Sequence, residues 1–130
     1  MRPSARCFAH ASVPLGGRFG AVGNGYMLIQ PGGQEQPTDS LGVVNEPNNL
    51  LMTGVATLTA TAAYRSNGNA INGGVVVAAW KSNGRPLIVR GVVKGRNIVS
   101  LNLFPPSNGA RVDFLAGDID KILRNALLYR

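Results

Sequence analysis

The sequence predicts a mainly β domain, an antiparallel meander or sandwich of about five strands, with one C-terminal helix and a long extended N-terminal arm. Three observations lead to this fold class. Seventeen Gly and eight Pro among 130 residues favour short strands and turns over long helices. Apolar and polar residues alternate in several segments after residue 50. The last residues show helical spacing instead.

Residues 1–50 form the predicted arm. No period of 2 or 3.6 is sustained there, and only residues 26–29 and 41–44 are strand-like. Two interpretations of its beginning stay open. Three arginines and two serines without an acidic residue in the first twenty positions are typical of a mitochondrial transit peptide. We favour an arm that docks on neighbouring subunits, because ordering such a Gly-rich chain requires extensive contacts.

Residues 51–130 form the predicted β domain. Five segments combine strand-like composition with flanking turn residues, and we expect a strand in each. These segments are residues 53–64, 74–81, 85–93, 97–104 and 111–115. Asp118 follows Gly117 and is expected to cap a helix over residues 118–129, with Ile122 and Leu127 on its apolar face.

Two turns set the expected strand register. Asn83-Gly84 suits a two-residue hairpin turn, and the resulting pairing places Trp80 in the core. A two-residue turn after the third strand would pair apolar with polar positions. We therefore expect a turn of three residues, 94–96, which pairs Val89 with Leu101.

The face of this sheet opposite the expected core is also apolar. One short helix covers only about half of such a sheet, so we expect the arm or a partner chain to cover the remainder. Apolar residues combined with Arg are typical of interface cores. The predicted subunit interface consists of sheet residues and arginines of the arm: Val77, Ile88, Arg90, Ile98, Arg2, Arg6 and Arg18.

The charge of the chain favours contacts with other proteins. Thirteen basic and six acidic residues give a net charge of +7, and ten of the basic residues are arginine, which suits interfaces. The basic residues are scattered, which excludes a basic tail that packs nucleic acid. Nucleic acid remains the alternative partner, contacted by arginines on or near strand ends: Arg65, Arg85 and Arg96.

The sequence offers little chemistry for catalysis. One Cys and one His are too few for an ordinary zinc site and for most acid–base machinery, and both of them, Cys7 and His10, lie in the arm. Asp118 and Asp120 are expected in the first turn of the helix, where carboxylates favour the helix dipole. The Gly-rich segment lacks a P-loop lysine. We expect a protein without enzymatic activity, catalytic residues, a metal site or a cofactor.

Arg2 and Arg6 form an R-x-x-x-R spacing ahead of the predicted β domain and helix. This spacing resembles the start of PilZ domains, and that resemblance would imply a β-barrel that binds cyclic di-GMP. In that family a D/N-x-S/A-x-x-G motif follows the arginines, and no stretch of this sequence supplies it. The resemblance covers five residues.

Taken together, these features favour a structural subunit of a large assembly. Small size, missing catalytic groups, a Gly-, Asn- and Thr-rich composition and an interlocking arm are shared with virion proteins. We therefore expect a viral or phage coat, minor-capsid or capsid-decoration protein, whose partners are copies of itself or another structural protein. No apolar run approaches about 18 residues, so we expect no membrane contact, assembly in the cytoplasm and residence in the virion. A basic β module that binds nucleic acid is the alternative.

Overall fold

The computed structural model describes residues 6–9, 26–30, 32–103 and 115–130, the first of these ranges by its backbone alone. The strands are β1 (Arg6–Ala9), β2 (Gln34–Glu35), β3 (Asp39–Val44), β4 (Leu58–Ala60), β5 (Arg65–Ser66), β6 (Val75–Trp80), β7 (Pro86–Val93), β8 (Arg96–Leu101) and β9 (Leu115–Gly117). A 3-10 helix spans Leu50–Met52, and helix α1 spans Ile119–Leu128. The predicted fold class, mainly β with one C-terminal helix, is confirmed.

Six of the strands form an antiparallel sheet in the order β8-β7-β6-β3-β4-β9. Strand β1 extends this sheet at the β8 edge and runs parallel to β8. The short strands β2 and β5 pair with each other separately. Strands β6, β7 and β8 are neighbours in space as in sequence, because tight turns join each to the next, and they form the expected meander.

The folded domain begins earlier than residue 51, where the sequence placed its start. Strand β3 lies inside the sheet, between β6 and β4. Leu28 and Ile29 are fully buried. The described residues from 26 to 50 are therefore part of the domain, while most of the preceding residues of the predicted arm lie outside the described ranges.

The turn between β7 and β8 contains two residues and not the expected three. Lys94 and Gly95 both have positive φ, 51° and 74°, as a type I′ hairpin turn requires. Val89 consequently pairs with Ser100, one position away from its expected partner. This mixed pairing is stable because Ser100 is buried with a partner: its Oγ accepts a hydrogen bond from the Leu28 backbone N–H over 3.3 Å.

The turn between β6 and β7 is longer than Asn83-Gly84 predicts. Only Gly84 of the two has positive φ, and a hydrogen bond from the Trp80 N–H to the Arg85 carbonyl closes a four-residue loop. The pairing of β6 with β7 is also interrupted by register shifts. Trp80 is nevertheless buried, with 2% of its surface exposed, as the sequence predicted.

Within the part of the chain that the structure describes, two clusters of buried side chains stabilise the fold. The main core packs α1 and the 3-10 helix against the sheet and contains Trp80, Ile122 and Ala126. The second cluster lies on the other face of β7 and β8, where residues 26–30 cover it. It consists of Leu28, Ile29, Val89 and Ile98. Both faces of these strands are therefore covered by the chain itself over much of their length.

Candidate interaction surfaces

Three of the four predicted interface residues on the sheet are inside the protein. Val77 and Ile88 belong to the main core, and Ile98 belongs to the second cluster. Each is at most 1% exposed, so these side chains cannot contact a partner of the folded chain. The prediction is therefore corrected at these positions. In the observed register the three residues are distributed over both faces of the sheet, and other segments of the chain cover each face.

The predicted interface residues of the arm are only partly described. Arg6 lies in β1, where its backbone is opposite Ile98 of β8. Arg2 and Arg18 lie outside the described residues. Arg90 reaches the surface and is about one-third exposed in its side chain.

Arg90 lies between two exposed valines near the β7–β8 turn. Val75 is its partner on β6, and Val92 follows it on the same face of β7; they are 39% and 64% exposed. Arg90 donates hydrogen bonds to Glu46 through Nε at 2.6 Å and Nη2 at 2.7 Å. This guanidinium holds the pKa of Glu46 below its usual value. We call the surface of Val75, Arg90, Val92 and Glu46 the hairpin patch.

Arg65, expected to contact nucleic acid, is instead an internal residue. Its side chain is 3% exposed and forms ion pairs with Glu35, at 2.7 Å, and with Asp39, at 2.5 Å. The guanidinium carbon also lies 4.9 Å from the centre of the Trp80 ring, within the range of cation–π attraction. The sequence missed this role because both carboxylates are remote from Arg65 along the chain.

The other two arginines of the nucleic-acid hypothesis are closer to the surface. Arg85 is half-buried and donates a hydrogen bond to Oδ1 of Asn69 over 2.5 Å. Arg96 is exposed at the start of β8. Because Arg65 is buried, the three predicted residues do not form one exposed cationic surface.

Asp39 is the most fully bonded carboxylate of the described residues. Burial would raise its pKa, but hydrogen bonds from the Ser82 hydroxyl, from Arg65 and from the Ser40 and Ser82 backbone N–H groups lower it below the usual value. A carboxylate held as an anion by four donors is a poor general base. This cluster therefore stabilises the junction of β3, β5 and the β6–β7 loop.

A groove of about 410 Å³ lies between the 3-10 helix and α1. Leu50 and Leu128, which are 67% and 61% exposed, are among its lining residues. Asn125 of α1 holds the two helices together, because its Nδ2 donates to the carbonyls of Leu51, at 3.0 Å, and Thr53, at 2.9 Å. We call this surface the helix groove.

The start of α1 differs from the predicted cap. Asp118 occupies the N-cap position, but its carboxylate makes no hydrogen bond to the N–H groups of the helix. Its Oδ2 accepts hydrogen bonds from the Ala56 and Thr57 N–H groups at 2.8 and 2.9 Å, and its Oδ1 accepts one from Lys121 at 2.8 Å. The hydrogen bond from Lys121, followed by those two backbone N–H groups, lowers the Asp118 pKa far below its usual value.

Sequence reasoning missed the helix groove, although one signal was present. The apolar stripe of α1 runs through Ile119, Ile122, Leu123 and Ala126, and Leu128 falls outside it. A large apolar residue outside the buried stripe indicates an exposed apolar surface. Leu127, expected on the buried face, is 70% exposed as well.

Among the described residues, no helix is long and apolar enough to cross a membrane, and no cluster of three or more Cys, His, Asp or Glu side chains could hold a metal ion. Comparison with known proteins found no matching family model, no matching curated protein and no matching solved structure.

Proposed function

We propose that this chain is a non-enzymatic structural subunit of a large assembly. In its most specific form, the proposal is a virion protein: a coat, minor-capsid or capsid-decoration protein of a virus or phage. The N-terminal residues are proposed as an additional contact that interlocks with neighbouring subunits. The hairpin patch is the observation that carries the proposal.

The hairpin patch has the composition of a contact between copies. Two exposed valines flank an arginine, a residue that is enriched in interface cores. Arg90 and Glu46 pair with each other within the chain, so the patch has no net charge and can face a copy of itself without repulsion between like charges. A neutral patch with two exposed valines therefore favours association of identical subunits.

The internal use of charged groups supports a non-enzymatic role. Of the carboxylates in the described residues, Glu35, Asp39, Glu46 and Asp118 each form an ion pair within the chain. These pairs hold loops and strands together. A carboxylate that acts as a general base must be free to accept a proton, and these carboxylates are not. Their arrangement supports a stabilising role.

Light scattering of the full chain tests this proposal against the nucleic-acid alternative. The chain is measured over a concentration series at about 50 mM and about 500 mM NaCl, with and without a single-stranded oligonucleotide of about 20 nucleotides. Association through apolar contacts predicts larger species at higher protein concentration, at both salt concentrations and without the oligonucleotide.

Two results would contradict the proposed function. One is a chain that stays monomeric over the whole concentration series. The other is association that requires the oligonucleotide and is lost at the higher salt concentration, because that dependence is the signature of phosphate contacts. The second result would establish the basic nucleic-acid-binding module instead.

A further inference from the structure

The helix groove is built to accept an apolar side chain. Leu50 and Leu128 expose apolar surface at it, while the Asn125 amide is already bonded to two backbone carbonyls. Pockets for small polar ligands need several convergent polar groups that remain free. The groove therefore suits the apolar anchor of a protein segment better than a small polar molecule.

The charge at the groove is positive. Lys121 and Arg124 are among its lining residues, and no carboxylate of the described residues is. Lys121 already pairs with Asp118, whereas Arg124 is exposed. An incoming segment therefore gains most from negative charge beside its apolar anchor.

A second copy of this chain is poorly suited to supply that negative charge. The sequence has six acidic residues against thirteen basic ones. Of the five acidic residues in the described ranges, four are already in ion pairs, which leaves Asp120. In a symmetric contact through the groove, Arg124 would also approach Arg124 of the second copy, and the two positive charges would repel each other. The charge therefore favours a different, acidic protein.

We propose that the helix groove docks an acidic segment of a different protein, which places an apolar side chain against Leu50 and Leu128 and carboxylates near Arg124. This inference rests on the proposed function, because it identifies the second structural protein of the assembly by its chemistry. The hairpin patch serves contacts between copies, and the groove serves this acidic partner.

A binding assay with designed peptides tests the inference. The probe is a fluorescein-labelled peptide of about 14 residues with Leu at helical spacing and Glu between, and its control has Gln in place of Glu. Fluorescence anisotropy with the full chain at about 150 mM NaCl measures both. We expect the acidic peptide to bind at least about fivefold more tightly than the neutral one.

Paired variants locate the binding site. Arg124→Glu and Leu128→Ser change the groove, and each should weaken binding of the acidic peptide about fivefold or more. Arg96→Glu changes the net charge equally but lies outside the groove, and Leu127→Ser removes an exposed leucine that does not line it. These two controls should stay within about twofold of the unmodified chain.

Several outcomes would overturn the inference. Equal weakening by Arg124→Glu and Arg96→Glu would show attraction to overall charge and not to the groove. Equal binding of the neutral peptide would remove the acidic requirement. A third outcome is that Arg124→Glu leaves peptide binding unchanged and abolishes binding to an oligonucleotide or to phosphatidylserine vesicles. That result would assign the groove to nucleic acid or to a membrane surface, respectively. All four substitutions are at exposed positions, and circular dichroism checks that each variant is folded.

Failure of this inference differs from failure of the proposed function. A chain that self-associates but does not bind the acidic peptide at the groove retains its role as a subunit and loses only the acidic partner. A chain that binds the peptide at the groove but stays monomeric retains the docking site and loses the role as a repeated subunit.

Discussion

Asn102 uses its side-chain amide to satisfy backbone groups inside the protein. Its Oδ1 accepts a hydrogen bond from the Ser66 N–H at 2.8 Å, and its Nδ2 donates to the carbonyls of Ser66, at 2.8 Å, and Pro86, at 2.9 Å. A fully buried amide with three partners is stable where an unpaired one would be costly. Ser100 in β8 and Asn102 directly after it are both buried, so polar residues among apolar ones in this segment do not indicate an exposed face. The expected register rests on the opposite assumption.

Asp118 links pH to stability. Its pKa is lowered from the ordinary value of 3.8, so its stabilising contribution is complete above that value and is lost as the pH falls below it. Glu46 and Asp39, whose pKa values are also lowered, act in the same direction. We predict that the urea concentration at the midpoint of unfolding decreases when the pH is lowered from about 7 to about 3. The decrease should be smaller in Asp118→Asn.

Asp120→Asn is the matched control for this prediction. Asp120 is exposed in the first turn of the same helix and forms no ion pair within the described residues. This variant should follow the pH dependence of the unmodified chain. If Asp118→Asn and the unmodified chain lost stability equally on acidification, the contact of Asp118 with residues 56 and 57 would not be a source of the dependence.

At the level of elements, the sequence predicts the three-stranded meander and the C-terminal helix, but of the strand expected over residues 53–64 only Leu58–Ala60 is a strand. Strands β6, β7 and β8 lie where strand-like composition and flanking turn residues placed them, and helix α1 lies where helical spacing placed it. Residues 41–44 of β3 are strand-like in the sequence, but they fall in the predicted arm because Gly42 interrupts the pattern. That glycine is required by close packing, since a Cβ at this position would lie 2.7 Å from the Lys81 backbone. The local sequence pattern does not show that a position must be glycine because a strand distant in sequence packs closely against it.

Residues 26–30 likewise fall in the predicted arm and not in the predicted folded domain, although residues 26–29 are strand-like. Three consecutive apolar residues, 27–29, have neither helical nor strand periodicity, yet all three are buried. Their burial depends on the apolar surface of Val89 and Ile98, which is distant in sequence. Of the hairpin patch only Arg90 is in the predicted interface, and the helix groove is not predicted, because both surfaces combine residues from separate elements.

Leu28→Ala tests whether this segment is part of the folded domain. Leu28 is fully buried, so its truncation should lower the free energy of unfolding by about 2–5 kcal/mol, the usual cost of such a cavity. Val43→Ala, at an exposed position of β3, should change it by less than about 0.5 kcal/mol. Urea denaturation measures both. A Leu28→Ala variant as stable as the unmodified chain would place the segment outside the domain.

At the scale of the whole molecule, the two proposed contact surfaces differ in charge. The hairpin patch carries charges of both signs beside its valines, and the helix groove carries only cations beside its leucines. The excess of basic residues over the chain, +7, reinforces the difference. A subunit with one neutral and one cationic surface can contact copies of itself and an acidic partner at the same time.

Sedimentation velocity of hairpin-patch variants tests the central claim, that the chain is a self-associating structural subunit, most directly. Val92→Glu changes the patch, and Val43→Glu makes the same substitution at an equally exposed valine outside it. At about 500 mM NaCl, where charge effects are screened, the unmodified chain and Val43→Glu should associate with rising concentration. Val92→Glu should remain a folded monomer. Association of Val92→Glu equal to that of the unmodified chain, or a monomeric unmodified chain, would contradict the claim.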